Sequence, residues 1–341
     1  MGAVVKAAKE QLRTLPDGLT YGLWRHLTPH SDPHPDEPTL SFNYLGRAGH
    51  LGIDDTDLWR PSADGMAMAA TAGQISMPLA HALEVTAVTI DTDAGPELTT
   101  TWTWATSVLT HEDIGRLNEL WNDALTGITT HVHHGGGGLT PTDISPATLT
   151  QPQIDTLEHE HDVHDILPLT PVQQGLLFHA RTARELGVDS DLYAMQLEIT
   201  LTGVLDPDVL RNAVRAVALR HPNLVARFAD GYDPPVQIVP AAPEVPWQYR
   251  EVADDEEIRQ VCAAERTAVC DLRNHVPFRV ALLRTRADEH RVVLTNHHIV
   301  LDGWSLPILL QEIFAGYVGQ RLPPAPPFRR FVEWLHAATS T

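Results

Sequence analysis

Apolar positions along the chain recur with two periods, about 3.6 and about 2, and the switches between them predict a mixed α/β protein. Val4 to Leu15 has helical spacing and breaks at Pro16, Asp17 and Gly18. Thr39–Leu45, closed by Gly46, reads as a strand. Leu83–Ile90 and Leu98–Trp104 read as two more, joined by the turn-forming Asp91–Pro96. That hairpin puts Trp102 and Trp104 on one face and Thr101 and Thr103 on the other. Thr110, with Asp113 three residues on, starts a helix that carries Ile114, Leu117, Leu120, Trp121, Leu125 and Ile128 on its spacing.

From Asp165 onward strands and helices alternate more regularly. Thr170-Pro-Val-Gln173 is a capping box with proline at the first helical position. Met195, Leu197, Ile199 and Leu201 alternate with Gln196, Glu198 and Thr200, the mark of a half-buried strand. Asp206-Pro207 starts a helix whose Leu210, Ala213, Val214 and Val217 form one stripe. Pro235–Val239 predicts a short strand and Glu256–Val269 a helix. Phe278–Arg284 and Arg291–Thr295 predict a hairpin around Arg286–His290, and Ser305–Tyr317 a further helix. Between the halves lies an acidic, histidine-bearing stretch, His159 to His164, which reads as a solvated connector.

Composition narrows the class. The 341 residues suffice for roughly two domains. Twenty-four Lys and Arg against 44 Asp and Glu leave a net charge of −20, which argues against a nucleic-acid or anionic-membrane partner. No apolar run nears the ~20 residues of a membrane span, and Met1–Glu10 lacks a signal-type apolar block, so a cytoplasmic protein is expected. Cys262 and Cys270 are too few for a disulfide framework and read as structural thiols.

The chemistry concentrates in His297-His298-Ile-Val-Leu-Asp302-Gly303-Trp304. Paired histidines at a strand end point to opposite sides, so one imidazole can face a cleft while the other enters the core. An imidazole can take a proton from an attacking amine or hydroxyl, or orient it. Asp302 can fix the following turn, and Gly303 permits close backbone approach or positive φ. Taken alone, the tetrad reads first as a core histidine followed by a turn-stabilising aspartate. Zinc lacks a third ligand at useful spacing. His131, His133 and His134 sit beside four glycines and read as a surface loop, not a metal site. Trp102, Trp104 and Trp121 read as packing residues.

The tetrad has company. His297–Ser305 resembles the HHxxxDG motif of condensation domains of nonribosomal peptide synthetases. Asp165-Ile-Leu-Pro-Leu-Thr-Pro-Val-Gln-Gln-Gly-Leu-Leu-Phe-His179 resembles their opening motif, and Arg220-His-Pro-Asn-Leu-Val-Ala-Arg-Phe228 the motif between. The opening motif is most similar to condensation domains that take a D-configured donor after an epimerization domain. Val5–Arg13 with Leu19–Arg25, Pro38–Gly46 and Leu139–Ile144 resemble, in family order, motifs of the trailing lobe of epimerization domains.

The resemblance implies an α/β (α+β) chain of two half-domains of the chloramphenicol-acetyltransferase-like superfamily, each a mixed sheet flanked by helices. Residues 1–158 are then the C-terminal lobe of an epimerization domain, 159–164 a linker, and 165–341 the N-terminal lobe of a condensation domain. His298 orients the acceptor amine or takes its proton, Gly303 lends backbone, and His297 and Asp302 are structural. Asn43 and Tyr44, with Trp304 and Ser305, are candidates for lining the reaction channel. Where the family's middle motif carries an arginine for the motif aspartate, this chain has Val225. Arg279 is therefore expected to pair with Asp302, with Arg227 as the next candidate. No bound cofactor or metal is implied. 4'-Phosphopantetheine arrives on the partner carrier proteins, and the partners are those carriers and adjoining synthetase domains. Since each family site is built from two lobes, the chain alone is expected to be inactive. The competing readings are a non-catalytic module that docks carriers and a stand-alone HxxxD acyltransferase.

Overall fold

The computed structural model describes residues 1–15, 17–27, 38–47, 79–92, 94–186, 193–272 and 275–339. Pro16 and Asp93, both assigned above to turns, lie outside them. The chain divides into two compact units. One comprises Met1–Val5 and Leu15–Gly137, the other Lys6–Thr14 and Gly138–Thr341.

In the first unit lie part of helix α1 (Gly2–Arg13), α2 (Thr20–Leu27), strands β1 (Leu40–Arg47), β2 (Leu83–Thr92) and β3 (Gly95–Trp104), and the long helix α3 (His111–His133). β2 lies in the centre, parallel to β1 and antiparallel to β3, with Leu83 opposite Trp104. Trp102 and Trp104 share a face as expected, and pack with Leu83, Val85 and Ile114 into a small core. The Trp121 ring on α3 lies perpendicular to that of Trp102, with centroids 6.2 Å apart, and tilted against Phe42 at 5.6 Å, so these tryptophans act as packing residues. α3 starts at the Thr110–Asp113 capping box. His131 and His133 stand in its last turn and not in a loop, because the helix ends only where Gly135 takes φ +77°, a conformation that glycine adopts without strain.

The second unit carries α4 (Gln151–Glu160), β4 (Val163–Pro168), α5 (Pro171–Glu185), β5 (Ala194–Thr202), α6 (Pro207–Arg220), β6 (Arg227–Ala229), β7 (Val236–Pro240) and β8 (Trp247–Glu251). α7 (Asp255–Cys270), β9 (Phe278–Arg286), β10 (Glu289–His297), α8 (Ser305–Tyr317) and α9 (Phe328–Thr339) follow. Four strands form a sheet in the order β5-β10-β9-β8, in which only β8 and β9 are parallel; β4-β7-β6 form an antiparallel second sheet.

β9 and β10 are buried on both faces. Val280, Leu282, Val292 and Leu294 meet Leu210, Val214 and Val217 of α6 and Leu309 and Ile313 of α8. Ala281, Leu283 and Val293 meet Ile258, Val261 and Cys262 of α7 on the other side. This accounts for their near-continuous apolar runs, whereas β5, at the edge, alternates. Met195 departs from that alternation and is exposed.

The stretch expected to be a solvated linker is instead structured. α4 runs to Glu160 and β4 begins at Val163. Ile144, Ala147, Leu149, Ile154 and Leu157 share one core with Ile166, Val236 and Ile238, so residues on both sides of 159–164 are buried together. Lys6 pairs with Asp155 at 2.7 Å and with Glu158, and Lys9 and Arg13 both pair with Asp143, which holds the second half of α1 to this unit. The polar side chains at 159–164 reflect an exposed surface, not a hinge.

Cys262 and Cys270 are not disulfide-bonded, and Cys262, on the buried face of α7, has its pKa pushed up to about 11, chiefly by desolvation. With Cys270 changed to Ser, Cys262 should react with a thiol reagent at pH 8 at least about tenfold more slowly in the folded chain than in denaturant. Equal rates would place it at the surface.

Candidate active site

β10 sits in the middle of the four-stranded sheet and delivers the motif at its C-terminal end. His297 is its last residue, opposite Ala194 of β5. The His297 ring is completely buried. Its Nδ1 accepts the Ile299 N–H at 3.1 Å, which leaves the ring proton for Nε2. The His297 N–H donates to the Pro277 carbonyl at 2.8 Å, and its carbonyl accepts the Val300 N–H at 3.2 Å. Both links tie the turn after β10 to the core.

His298 differs in the expected sense: it is half-buried, and its backbone N–H donates to the Tyr193 carbonyl at 2.9 Å. One imidazole of the pair is locked in the interior while the other reaches solvent. Rings of Phe178, His179, Tyr193 and His297 follow one another at 5.8 to 6.3 Å, linking the end of the opening motif to the histidine pair. No spacing pattern in the sequence singles out Tyr193, which precedes its strand and reaches the motif only through the fold.

Asp302 is exposed, and its carboxylate accepts the Ser305 N–H at 2.7 Å, one of the donors left open at the start of α8. The Ser305 hydroxyl and the Ser305 and Trp304 amides hold its pKa below the usual carboxylate range. Asp302 therefore holds the loop through α8, and among the described residues no arginine pairs with it. Arg279 gives its Nε and Nη2 to Glu265 of α7. The reason is facial. Arg279 shares with Ala281 and Leu283 the side of β9 that α7 covers, away from the loop that holds Asp302.

Gly303 also departs from expectation. Among the described residues it does not have positive φ, and a Cβ added there meets nothing within 4 Å. Among the described residues nothing lies close enough to require glycine at this position. Trp304 projects into solvent at 87% exposure and Ser305 is exposed beside it. Asn43 and Tyr44 belong to the other unit, exposed on β1, with the Tyr44 hydroxyl 2.9 Å from Thr89 Oγ1. No group of three or more His, Cys, Asp or Glu among the described residues is arranged to hold a metal ion. No described helix is long and apolar enough to cross a membrane.

The family model for the condensation domain matches residues 163–341. The chain belongs to the condensation-domain family. Among similar proteins, chondramide synthase cmdD of Chondromyces crocatus is 28% identical over 396 residues, covering 100% of this chain and 10% of that protein. One polypeptide of the linear gramicidin synthase of Brevibacillus parabrevis is 30% identical over 350 residues, covering 96% of this chain and 7% of that polypeptide. The chain thus spans a tenth or less of the length of these two relatives. The crystal structure of holo T3CT superposes with a TM-score of 0.46 at 22% identity, over 58% of this chain and 45% of that one. The starter condensation domain of the rhizomide synthetase RzmA gives 0.44 at 20%, over 52% and 44%. The matched region of the condensation domain begins at the first residue of β4 and contains the whole histidine motif.

Proposed function

We propose that these residues serve a nonribosomal peptide synthetase, with residues 165–341, as the N-terminal lobe of a condensation domain, supplying the histidine motif that forms the peptide bond between two carrier-tethered thioesters. The observation that carries this reading is the asymmetry of the histidine pair in a chain of this family: one ring buried and hydrogen-bonded, the next half-exposed. In the reaction the acceptor amine nitrogen attacks the donor thioester carbonyl, the C–N bond forms and the C–S bond breaks. The amine gives up a proton and the leaving sulfur departs as a thiol. His298 orients the amine or takes that proton, work that a positioned imidazole performs near neutral pH. Gly303, Trp304 and Ser305 form the adjacent loop, and Asn43 and Tyr44 are assigned to channel lining in the preceding domain. The phosphopantetheine arms enter as part of the substrates, on carrier domains of the same cytoplasmic assembly line.

Residues 1–158 are assigned to the trailing lobe of an epimerization domain. The alignments with two synthetases run through both units and support this tandem. The donor is accordingly D-configured at its reacting residue. In a synthetase carrying these residues, carrier-bound donors of both configurations should be offered with one acceptor and the dipeptide followed by mass. Product from the D-donor in clear excess is expected. Equal use of both rejects the D-donor assignment, and no peptide from either moves the carrier-docking reading ahead.

A further inference from the structure

Gln173 lies on α5 as the third residue of the helix, where its capping role was legible. Its side chain does more than cap. Its Oε1 accepts the Thr170 N–H at 3.0 Å, while its Nε2 donates to the Ile299 carbonyl at 3.1 Å, across 126 residues. Gln237 of β7, fully buried, donates through Nε2 to Gln173 Oε1 at 3.1 Å and to the Pro168 carbonyl at 3.0 Å. Gln173 itself is 7% exposed. The amide is thus held in one orientation, since Thr170 and Gln237 both require an acceptor where Ile299 requires a donor.

Ile299 is the residue after His298, and it is fixed on three sides. Its N–H goes to His297 Nδ1, its carbonyl to Gln173, and its side chain packs among Leu169, Leu177, Phe228 and Leu272. A catalytic imidazole can hold its angle only if the backbone carrying it does, and here the two peptide groups that follow His298 are held in turn, the first by the His297 ring and the second by the Gln173 side chain of α5.

We infer that Gln173 is a positioning residue for His298, acting through the Ile299 carbonyl; this rests on the peptide-bond-forming role proposed above. Gln173→Glu and Gln173→Leu probe it in different ways. Glu keeps the acceptor side, but its ionised form repels the Ile299 carbonyl, whereas its protonated form can donate to it. The hydrogen-bond partners around it are neutral, so burial raises the pKa of such a carboxyl and brings its protonation within reach. Leu removes the bond at every pH.

Dipeptide formation should be measured in a synthetase carrying these residues, from about pH 8.5 to about pH 6, for the parent, both variants and His298→Ala, with melting temperatures alongside. Gln173→Leu should lower kcat about tenfold or more with acceptor KM unchanged, at every pH. The rate of Gln173→Glu relative to the parent should climb several-fold as the pH falls. A flat ratio, or a loss that vanishes once rates are corrected for folded fraction, overturns the inference. If the Gln173 variants fail to fold, Gln237→Met removes the bond that orients Gln173. A several-fold drop in kcat then supports the inference and the parental rate overturns it. His298→Ala separates the two levels. Its retention of the parental rate rejects the proposed function itself, whereas its impairment beside a pH-flat Gln173→Glu at the parental rate rejects only the role of Gln173.

Discussion

His298→Ala should slow dipeptide formation by about 10²–10⁴-fold, the usual contribution of a general base or orienting group, while the melting temperature stays near that of the parent. The reason for the intact fold is local. His298 is half-buried, and the contact that fixes its position, its backbone N–H to the Tyr193 carbonyl, survives in alanine. His297→Ala should do the opposite. Its ring is fully buried and accepts the Ile299 N–H, so truncation leaves a cavity and an orphaned donor, at about 2–4 kcal/mol. The deciding measurement is single-turnover rate per folded molecule for both variants, with calorimetric melting. A His298→Ala enzyme running at the parental rate removes the catalytic assignment.

That asymmetry was legible in the sequence because it depends on local geometry. A strand ends at the histidine pair, and consecutive side chains point apart. The helix starts at Thr110, Thr170 and Asp206 were legible for the same reason, since each cap is closed within three residues. The stretch 151–168 was not. α4 buries only Ile154 and Leu157, and β4 only Ile166 and Leu167, so neither leaves a periodic signal among the surrounding acids and histidines. Partnerships across the fold were hidden for a different reason. Which arginine meets which carboxylate depends on which helix covers which face of β9, and that is set by the packing of α6, α7 and α8, not by spacing along the chain. The link from Gln173 to Ile299 likewise joins a helix cap to a strand end, and neither shows a local pattern for it.

Arg279→Ala should destabilise the chain by about 3 kcal/mol, although Arg279 touches neither His298 nor the loop after it. Glu265 is 6% exposed, and its carboxylate is held by Arg279 and by Gln248, whose Nε2 donates to Oε1 at 2.6 Å. Removing the guanidinium leaves a buried charge with one neutral partner, and desolvation of the carboxylate is then no longer offset. Removing both charges avoids that penalty. Arg279→Met combined with Glu265→Leu should recover most of the loss, since apolar residues of similar size replace a buried pair at little cost. Chemical denaturation of the two single variants and the double variant forms a cycle, and a second cycle pairs Arg279→Met with Asp302→Asn. Strong coupling in the first and additivity within about 0.5 kcal/mol in the second are expected. Coupling to Asp302 that exceeds coupling to Glu265 would return Arg279 to the loop of the histidine motif and break the facial argument that separates them.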